Sequence, residues 1–245
     1  MAEDIRAGRA FEREDLMDPE NREKRDRPAS RYVEYLRGLE STLEYVRGSQ
    51  HTLVVDLGAG TSRGISQIAQ STYGKGLKFI GTGLVFDSAV EEHIGHAHYR
   101  VTPAETMHGF EPASVGCFIS LHGPFVYSGH PELVLAKTDA LLADGGVMKI
   151  CIPLRINDEQ ERLREQANTR NADVARTIES FFREHKYGLV VSDHELPEAK
   201  RTNRIFLAVK PSGADDSPEL LARQLMLGDL ESADDMRAAF LRPKA

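Results

Sequence analysis

Cysteine is scarce in this chain, and long apolar runs are absent. Its two cysteines, Cys117 and Cys151, both lie inside apolar segments (VGCFISL and VMKICIPL), so we predict buried thiols and no disulfide framework. No run of about 18 apolar residues occurs, and the first residues, MAEDIRAGRAFERED, contain no apolar signal region. The sequence therefore predicts a cytoplasmic protein that neither spans nor binds a membrane.

The chain also lacks an excess of basic residues. Its 31 basic and 38 acidic residues give a formal net charge of -7, and no basic stripe stands out. This balance disfavours a polyanionic partner, so we expect no binding to nucleic acid. With 245 residues, of which 40% are apolar, the chain is long enough to bury one sizeable core.

Strand patterns alternate with helical patterns between residues 51 and 211. The predicted strands cover residues 52–58, 77–85, 97–102, 115–123, 147–154, 187–196 and 203–211. The first predicted helix begins near residue 65. Three more cover residues 88–95, 131–146 and 158–185, the last with a break at QANTRNADVAR. This alternation predicts an α/β fold: a doubly wound, mainly parallel, seven-stranded sheet with helices on both faces. The last two strands can form a hairpin, so the last strand should be antiparallel, at the end of the sheet.

The N-terminal region precedes this α/β domain. Residues 1–30 carry many charges of both signs and predict a mobile or partner-ordered arm. Within it, a basic run is interrupted by acidic residues and is expected to be solvated: Arg22, Lys24, Arg25 and Arg27. Residues 31–50 should form a cap, because apolar positions recur at helical spacing from Ser30 to Gly48 and predict a single amphipathic helix.

The C-terminal region, residues 212–245, predicts a helical tail. A first helix should begin at Ser217 with Pro218 in its first turn, and Ser232 could cap a second one. These helices could pack against the domain, close over the active site, or join two copies in a homodimer.

A glycine loop follows the first predicted strand, in HTLVVDLGAGTSRG at residues 51–64. The dinucleotide fingerprint G-x-G-x-x-G fails here because Arg63 stands where the third glycine belongs. The phosphate loop fails as well, since no Lys-Ser or Lys-Thr pair follows a glycine in this turn. An acidic residue at the strand end does fit, followed by alternating glycines: Asp56, Gly58 and Gly60.

With the element order, this loop resembles the class I S-adenosylmethionine-dependent methyltransferase family over about residues 50 to 210. The segments SVGCFISLHGPF and LLADGGVMKI resemble the family's fourth strand and its entry to the fifth. The resemblance implies a Rossmann-like fold and S-adenosylmethionine as cofactor, with Asp56 oriented toward its amino-acid part and the loop glycines close to its adenosine. The cofactor-binding residues it implies are Asp56, Gly58, Ala59, Gly60, Thr61, Gly83, Leu84, Ala104, Glu105 and Leu121.

Three positions depart from the family pattern. Ser62 replaces the third loop glycine, which suits the loop if its backbone has a negative φ. Gly83 ends the second strand where the family usually has an acidic residue for the ribose, and Asp87 is a possible substitute. Pro103 stands at the acidic position near the adenine. These departures leave open methyl transfer, an intramolecular displacement on the cofactor that releases methylthioadenosine, and a non-catalytic binding or scaffold role.

The loop after the fourth strand, LHGPFVYSGH, supplies the candidate catalytic residues. His122 and Tyr127 could position an acceptor or remove its proton. The loop lacks the Asn/Asp-Pro-Pro-aromatic motif of amino-directed nucleic-acid methyltransferases, and the chain has no Pro-Cys nucleophile. A small-molecule acceptor is therefore the best interpretation.

Two further groups of residues were considered for ligand contacts. On the cap helix, Arg31 and Tyr35 could reach the cofactor carboxylate. The histidines His93, His96 and His98 lack the carboxylate-backed spacing of a zinc motif, so we expect them to be solvated and predict no metal.

Overall fold

The computed structural model describes residues 25–156, 161–196, 201–212 and 217–227. Seven strands form one sheet: β1 (Leu53–Leu57), β2 (Lys78–Gly83), β3 (His98–Val101), β4 (Val115–Leu121), β5 (Leu142–Ile156), β6 (Gly188–Leu196) and β7 (Arg201–Val209). Their spatial order is β3-β2-β1-β4-β5-β7-β6. Strands β1 to β5 are paired in parallel, and this confirms the predicted α/β fold class.

The antiparallel strand is the last one in sequence, as predicted, but it does not lie at the end of the sheet. β7 is hydrogen-bonded to β5 on one side and to β6 on the other, antiparallel to both. The edge position belongs to β6. This order lets β7 bury five consecutive residues at its end, Ile205, Phe206, Leu207, Ala208 and Val209, as expected for a strand covered on both faces.

Helices cover both faces of the sheet. They are α1 (Ala29–Tyr35), α2 (Leu39–Gly48), α3 (Arg63–Gln70), α4 (Ser88–His93), α5 (Pro124–Tyr127), α6 (Pro131–Leu141), α7 (Glu161–Glu184) and α8 (Pro218–Leu227). Alternate residues of the central strands β1, β4, β5 and β7 pack in two apolar cores. On one face, Val54 and Ile119 pack in the core that α1, α2, α3 and α8 cover. On the other, Val55 and Phe118 pack in the core under α5, α6 and α7.

The predicted single cap helix is divided into two helices. α1 ends at Tyr35, and α2 starts after Gly38, which has a left-handed φ of 80°. Glycine adopts this conformation without a Cβ penalty, so Gly38 allows the chain to turn between the two helices. Leu36 and Leu39 flank the turn and are both buried, which explains why the apolar spacing looked continuous.

Two other predicted boundaries differ from the structure. β5 begins at Leu142 instead of residue 147, because Leu142 pairs with Val115 before a register shift in the β4–β5 ladder. α7 runs unbroken through the QANTRNADVAR segment. Asn171 is buried there, in line with the apolar residues Val174 and Ile178, so one helix face stays packed on the domain.

The tail begins as predicted, with Pro218 in the first turn of α8, and α8 packs on β6 and β7. Most of the predicted N-terminal arm, residues 1–24, and the second tail helix after Ser232 lie outside the described residues. In the described ranges, no helix is both long and apolar enough to cross a membrane.

Candidate active site

The glycine loop joins β1 to α3 at the carboxyl edge of the sheet. Gly58 and Gly60 have positive φ values of 73° and 63°, which glycine adopts at low cost. Ala59 is buried in the core, and its amide donates to the carbonyl of Thr82 on β2 (2.8 Å). Because β1 lies between β2 and β4, the loop is at the switch point of the sheet, where parallel α/β folds bind ligands.

Ser62 does not meet the condition under which it was predicted to suit this loop. Its φ is 66°, in the left-handed region, instead of negative. The Ser62 amide donates to the carbonyl of Ala59 (2.9 Å), and the residue immediately precedes α3, so the tight entry to this helix imposes the conformation. A left-handed backbone costs a residue other than glycine about 1–2 kcal/mol. The turn therefore keeps its shape without the third glycine.

Asp56, at the end of β1, is fully buried. The hydroxyl of Tyr32 on α1 donates to its Oδ2 atom (2.5 Å), while Oδ1 has no hydrogen-bond partner among the described residues. Burial raises the pKa of Asp56 to about 6, against the opposing effects of the Tyr32 hydrogen bond and the positive charge of Arg27. A carboxylate held this way is poised to accept a hydrogen bond from a cationic or hydroxyl group of a ligand.

Arg27 brings a cation to the ends of the two central strands. Its Nη1 atom donates to the carbonyl oxygen of Gly58 (3.1 Å) and to that of Leu121, the last residue of β4. The sequence predicted Arg27 in a solvated basic run and did not indicate this position. The basic run containing it was visible in the sequence, but its partners are distant in the chain and carry no local signal.

The residues before Arg27 cover the rest of the loop. The carbonyl of Arg25 accepts a hydrogen bond from the Thr61 amide (3.3 Å), and a Cβ built on Gly60 would lie 2.1 Å from that oxygen. Asp26 accepts hydrogen bonds from the Thr61 hydroxyl (2.9 Å) and from Arg63 (2.7 Å). The side chain of Thr61, predicted to bind cofactor, is thus engaged by the N-terminal segment.

Asp87 is also engaged by this segment. Its carboxylate accepts a hydrogen bond from the buried Arg25 guanidinium (2.6 Å) and caps α4 through the amides of Ala89 and Val90 (3.1 Å each). Burial would raise the pKa of Asp87, but these hydrogen bonds and the Arg25 charge hold it below its usual value. Asp87 is therefore ionised, and Arg25 links it to the glycine loop. A carboxylate that substitutes for an acidic residue at position 83 needs both properties.

Gly83 has a structural reason to lack a side chain. A Cβ built on Gly83 would lie 2.0 Å from the hydroxyl oxygen of Tyr99 on β3. Tyr99 is largely buried, and this burial raises its pKa above the usual value, so the hydroxyl is neutral. The Tyr99 side chain, from the neighbouring strand, therefore occupies the space that a side chain at position 83 would need. Leu84 follows as a partly exposed residue.

The segment after β3 approaches the loop after β4. Ala104 is buried, with 8% of its surface exposed. Glu105 accepts a hydrogen bond from the Ser128 hydroxyl (2.6 Å), which ties the two segments together. The amide of Thr102 donates to the carbonyl of Gly83 (2.9 Å), so this segment also borders the end of β2.

His122 lies directly beyond Leu121, in a left-handed conformation with φ of 50°. Its ring stacks on Tyr35 of α1, with 5.6 Å between centroids, and its Nε2 atom is 3.6 Å from the Cys151 sulfur. Burial and the nearby charges of Arg201 and Arg27 hold the pKa of His122 well below its usual range. The imidazole is therefore neutral near pH 7, and it is a weaker base than an exposed histidine.

Polar groups from β7 complete the surroundings of His122. The Arg201 guanidinium lies over the Tyr35 ring, 4.7 Å from its centroid, and its buried Nε has no hydrogen-bond partner in the described part of the chain. Asn203 is fully buried close to His122, and neither its side-chain oxygen nor its nitrogen has a hydrogen-bond partner among the described residues. Sequence analysis missed both residues, because they belong to the last strand and reach the site only through its inserted position in the sheet.

Tyr127, the second catalytic candidate, lies elsewhere. It ends the short helix α5 and packs against the core under α6 and α7. His122 instead stacks on Tyr35, which belongs to the opposite core. The structure thus brings Asp56, Gly58 and His122 to one edge, while it separates Tyr127 from them.

Neither the histidine group nor the open cleft of this fold coincides with the site. His96 and His98 are exposed, and the described residues contain no group of three or more side chains arranged to hold a metal ion. A cleft of about 560 Å³ lies at the amino ends of β1 and β2, lined in part by His51, Lys78 and His98. That edge of the sheet is opposite the glycine loop.

Comparisons with known proteins identify the fold. No family model and no curated protein matches this chain. Phosphoethanolamine N-methyltransferase 2 of Haemonchus contortus matches with a TM-score of 0.52 and 16% identity, over 70% of this chain and 52% of that one. A methyltransferase of Aquifex aeolicus that depends on S-adenosylmethionine matches with a TM-score of 0.53 and 14% identity, over 79% of this chain and 99% of that one.

A third similar structure is the 1,6-didemethyltoxoflavin-N1-methyltransferase of Burkholderia thailandensis. Its TM-score is 0.50 at 16% identity, over 76% of this chain and 80% of that one. The chain spans about half the length of the H. contortus enzyme. These similarities show that the chain has the class I methyltransferase fold, which confirms the resemblance inferred from the sequence.

Proposed function

We propose that this protein binds S-adenosylmethionine and transfers its methyl group to a small-molecule acceptor. The observation that carries the proposal is Asp56, a fully buried carboxylate with one oxygen free of partners among the described residues, beside the loop of Gly58 and Gly60. Solved proteins of the same fold support it: the H. contortus and B. thailandensis structures contain S-adenosylhomocysteine, each together with a small molecule.

The residues at this edge fit the chemistry of the cofactor. The carbonyls of Gly58 and Leu121 and the carboxylate of Asp56 are acceptors suited to an ammonium group. Gly60 has no side chain to keep a ligand from the loop backbone once the Arg25 carbonyl that covers it moves away, and Asp87, released from Arg25, can accept hydrogen bonds from ribose hydroxyls. When bound, the cofactor supplies a methyl group that its sulfonium activates for in-line displacement, so the protein mainly has to align the acceptor and exclude water.

His122 is the residue best suited to manage the acceptor's proton. It follows Leu121 directly, and its imidazole is neutral but weakly basic. Because the acceptor's proton becomes more acidic as the new bond forms, this imidazole can take it at that stage. The neighbouring Arg201 and Asn203 offer hydrogen-bond donors to an oxygen-bearing acceptor. Tyr127 remains a weaker candidate because it packs in the other core.

We expect the enzyme in a reducing compartment, the cytoplasm, because both cysteines are buried thiols. A homodimer through the terminal helices stays a prediction.

Calorimetric titration with S-adenosylmethionine and with S-adenosylhomocysteine tests the proposal. We expect both to bind with 1:1 stoichiometry, and adenosine, which lacks the amino-acid part, to bind at least about 10-fold more weakly because it cannot reach Asp56. Absence of heat and of thermal stabilisation at about 1 mM ligand, in the wild-type chain and in the Arg25→Ala/Arg27→Ala variant described below, would contradict it.

Product analysis separates the two reactions that the same cofactor permits. After incubation with a cell extract, a methyltransferase releases S-adenosylhomocysteine together with a methylated metabolite. The alternative enzyme, which displaces intramolecularly at another carbon of the sulfonium, releases methylthioadenosine. Mass spectrometry of the small-molecule fraction identifies which product accumulates, and we expect S-adenosylhomocysteine.

A non-catalytic binding role is the second candidate, favoured by one specific observation. Arg25 and Arg27 already engage groups that the cofactor would use, namely Asp87 and the carbonyls of Gly58 and Leu121. If this arrangement were permanent, the fold would act as a scaffold. The calorimetric titration also decides between these functions, since a scaffold requires no cofactor binding.

His122→Asn is expected to lower turnover by about 100-fold or more, because a general base contributes at least that much. Its affinity for S-adenosylhomocysteine should stay within about 3-fold of wild type, since the cofactor contacts lie in the glycine loop. Turnover is measured with the metabolite identified above, and His185→Asn, an exposed histidine after α7, is the matched control. Unchanged turnover in His122→Asn would remove this residue from the mechanism.

A further inference from the structure

The segment of residues 25–28, which runs immediately before α1, lies across the predicted cofactor site. Through Arg27 it places a guanidinium against the carbonyls of Gly58 and Leu121. These two oxygens lie at the carboxyl ends of the central strands β1 and β4, the ends at which Asp56 also lies. An amino-acid ligand carries an ammonium group that needs the same kind of acceptors. The Arg27 guanidinium therefore already occupies the two carbonyl oxygens that would otherwise accept hydrogen bonds from a ligand's ammonium group.

Arg25 blocks the site in a second, independent way. Its backbone carbonyl lies so close to Gly60 that a single added Cβ would be 2.1 Å from it. The open backbone of Gly60 thus faces the protein's own chain, where a ligand would have to approach. The Arg25 side chain meanwhile pairs with Asp87 at 2.6 Å, the first carboxylate after β2.

The contacts that hold the segment are polar. Its sequence is Arg-Asp-Arg-Pro, and its recorded contacts with the loop are hydrogen bonds and ion pairs, including Asp26 with Thr61 and Arg63. No large apolar side chain of the segment is buried in the core, so its release exposes little apolar surface and costs little hydrophobic free energy. Such a segment can be exchanged for a ligand that offers equivalent polar groups.

We propose that residues 25–28 are an intramolecular competitor of the cofactor, and that cofactor binding requires the displacement of this segment. The inference rests on the proposed function, since it concerns access to the same site. Arg27 occupies the ammonium position, the Arg25 carbonyl covers Gly60, and the Arg25 guanidinium holds Asp87. The closed segment makes the free protein a poor cofactor binder until something draws residues 25–28 away.

The expected size of the effect follows from population arithmetic. A ligand that binds only the open form has its apparent affinity reduced by the open fraction. If the segment is closed in about 90–99% of molecules, the affinity is reduced about 10- to 100-fold. Removal of the contacts that hold residues 25–28 in place should raise the apparent affinity for the ligand by the same factor.

The test is calorimetric titration of the full chain with S-adenosylhomocysteine. Arg25→Ala/Arg27→Ala should bind about 10- to 100-fold more tightly than wild type. The matched control is Arg176→Ala/Arg183→Ala, which removes two exposed, ion-paired arginines from α7 and should bind as wild type does. Thermal unfolding verifies that each variant is folded, and Arg25→Ala alone serves if the double variant is not.

A second measurement follows the segment itself. Because both natural cysteines are buried, a Pro28→Cys variant presents a thiol whose reaction rate with a disulfide reagent reports exposure of the segment. Saturating S-adenosylhomocysteine should accelerate this reaction several-fold, because it drives the segment out of the site.

The possible outcomes separate this inference from the proposed function. Equal or weaker binding by Arg25→Ala/Arg27→Ala, or a thiol that reacts no faster with ligand bound, overturns the competitor while the proposed function stands. Absence of binding by every variant overturns the proposed function, and the competitor falls with it.

Discussion

Asp56→Asn is expected to change how the stability of the protein depends on pH. Burial raises the folded pKa of Asp56 to about 6, whereas an aspartate in an unfolded chain titrates near about 3.9. The folded state therefore holds this proton longer as the pH rises, so the stability it contributes is complete below about pH 4 and is lost through about pH 6. The loss amounts to about 3 kcal/mol at pH 8.

Urea unfolding at about pH 4 and about pH 8 measures this effect. The free energy of unfolding of Asp56→Asn minus that of wild type should be about 2–3 kcal/mol larger at about pH 8 than at about pH 4, because only wild type loses stability as the pH rises. The control, Asp193→Asn, loses a partly exposed ion pair with Arg204 that lowers the pKa of Asp193. Its stabilisation is present above the unfolded pKa and lost in acid, so this variant should change in the opposite direction, by less than about 1 kcal/mol. A pH-independent difference for Asp56→Asn would contradict the prediction.

The same substitution should damage ligand binding. A charge-assisted hydrogen bond to a ligand contributes about 1.5–3 kcal/mol, so Asp56→Asn should bind S-adenosylhomocysteine about 10- to 100-fold more weakly. Calorimetry at about pH 8 separates lost binding from unfolding, because the stability of the variant relative to wild type is higher there than in acid. Asp56 would then be retained for function although its burial destabilises the fold.

Gly123→Ala is expected to have a large effect, because it adds a methyl group to the loop that carries His122. A Cβ at Gly123 would lie 2.2 Å from the carbonyl oxygen of Leu57 and 2.7 Å from the Ser120 hydroxyl. The carbonyl belongs to β1 and cannot rotate away, so the loop that carries His122 has to shift. Overpacking of this kind costs about 1–3 kcal/mol, and displacement of His122 should abolish turnover.

Gly48→Ala supplies the matched control for this change. Gly48 is the last residue of α2, and a Cβ there would meet no atom within 4 Å. Because alanine favours helix over glycine, this variant should be neutral or gain up to about 1 kcal/mol. Urea unfolding and product assays compare the two, and a Gly123→Ala protein with wild-type stability and turnover would show that the loop can yield.

The parts of this molecule that sequence analysis anticipated depend on short-range patterns. The loop at Asp56, Gly58 and Gly60 was identified because a strand end, a carboxylate and the glycines lie within a few residues of one another. The order of the strands β5, β7 and β6 at one end of the sheet was harder to predict from the sequence. A hairpin between β6 and β7 is a local inference, but which of the two strands pairs with β5 depends on the faces that both strands bury.

Contacts between distant segments were out of reach for the same reason. Arg27 lies 94 residues from Leu121, and Arg25 lies 62 from Asp87, so a charged N-terminal stretch gave no sign of its partners. Ser62 was predicted to suit the loop only with a negative φ, which reflects residue preference alone, whereas the geometry of entry into α3 imposes a positive φ. These are tertiary constraints that override local preference.

The close approach of Gly83 and Tyr99 also couples the effects of mutations at these two positions. The tyrosine hydroxyl stands 2.0 Å from the Cβ site of Gly83, so a side chain at position 83 requires the Tyr99 ring to move aside or to be replaced by a smaller residue. Substitutions at the two positions, on the adjacent strands β2 and β3, should therefore be non-additive: a larger residue at position 83 should cost less stability when position 99 is small than when it is tyrosine.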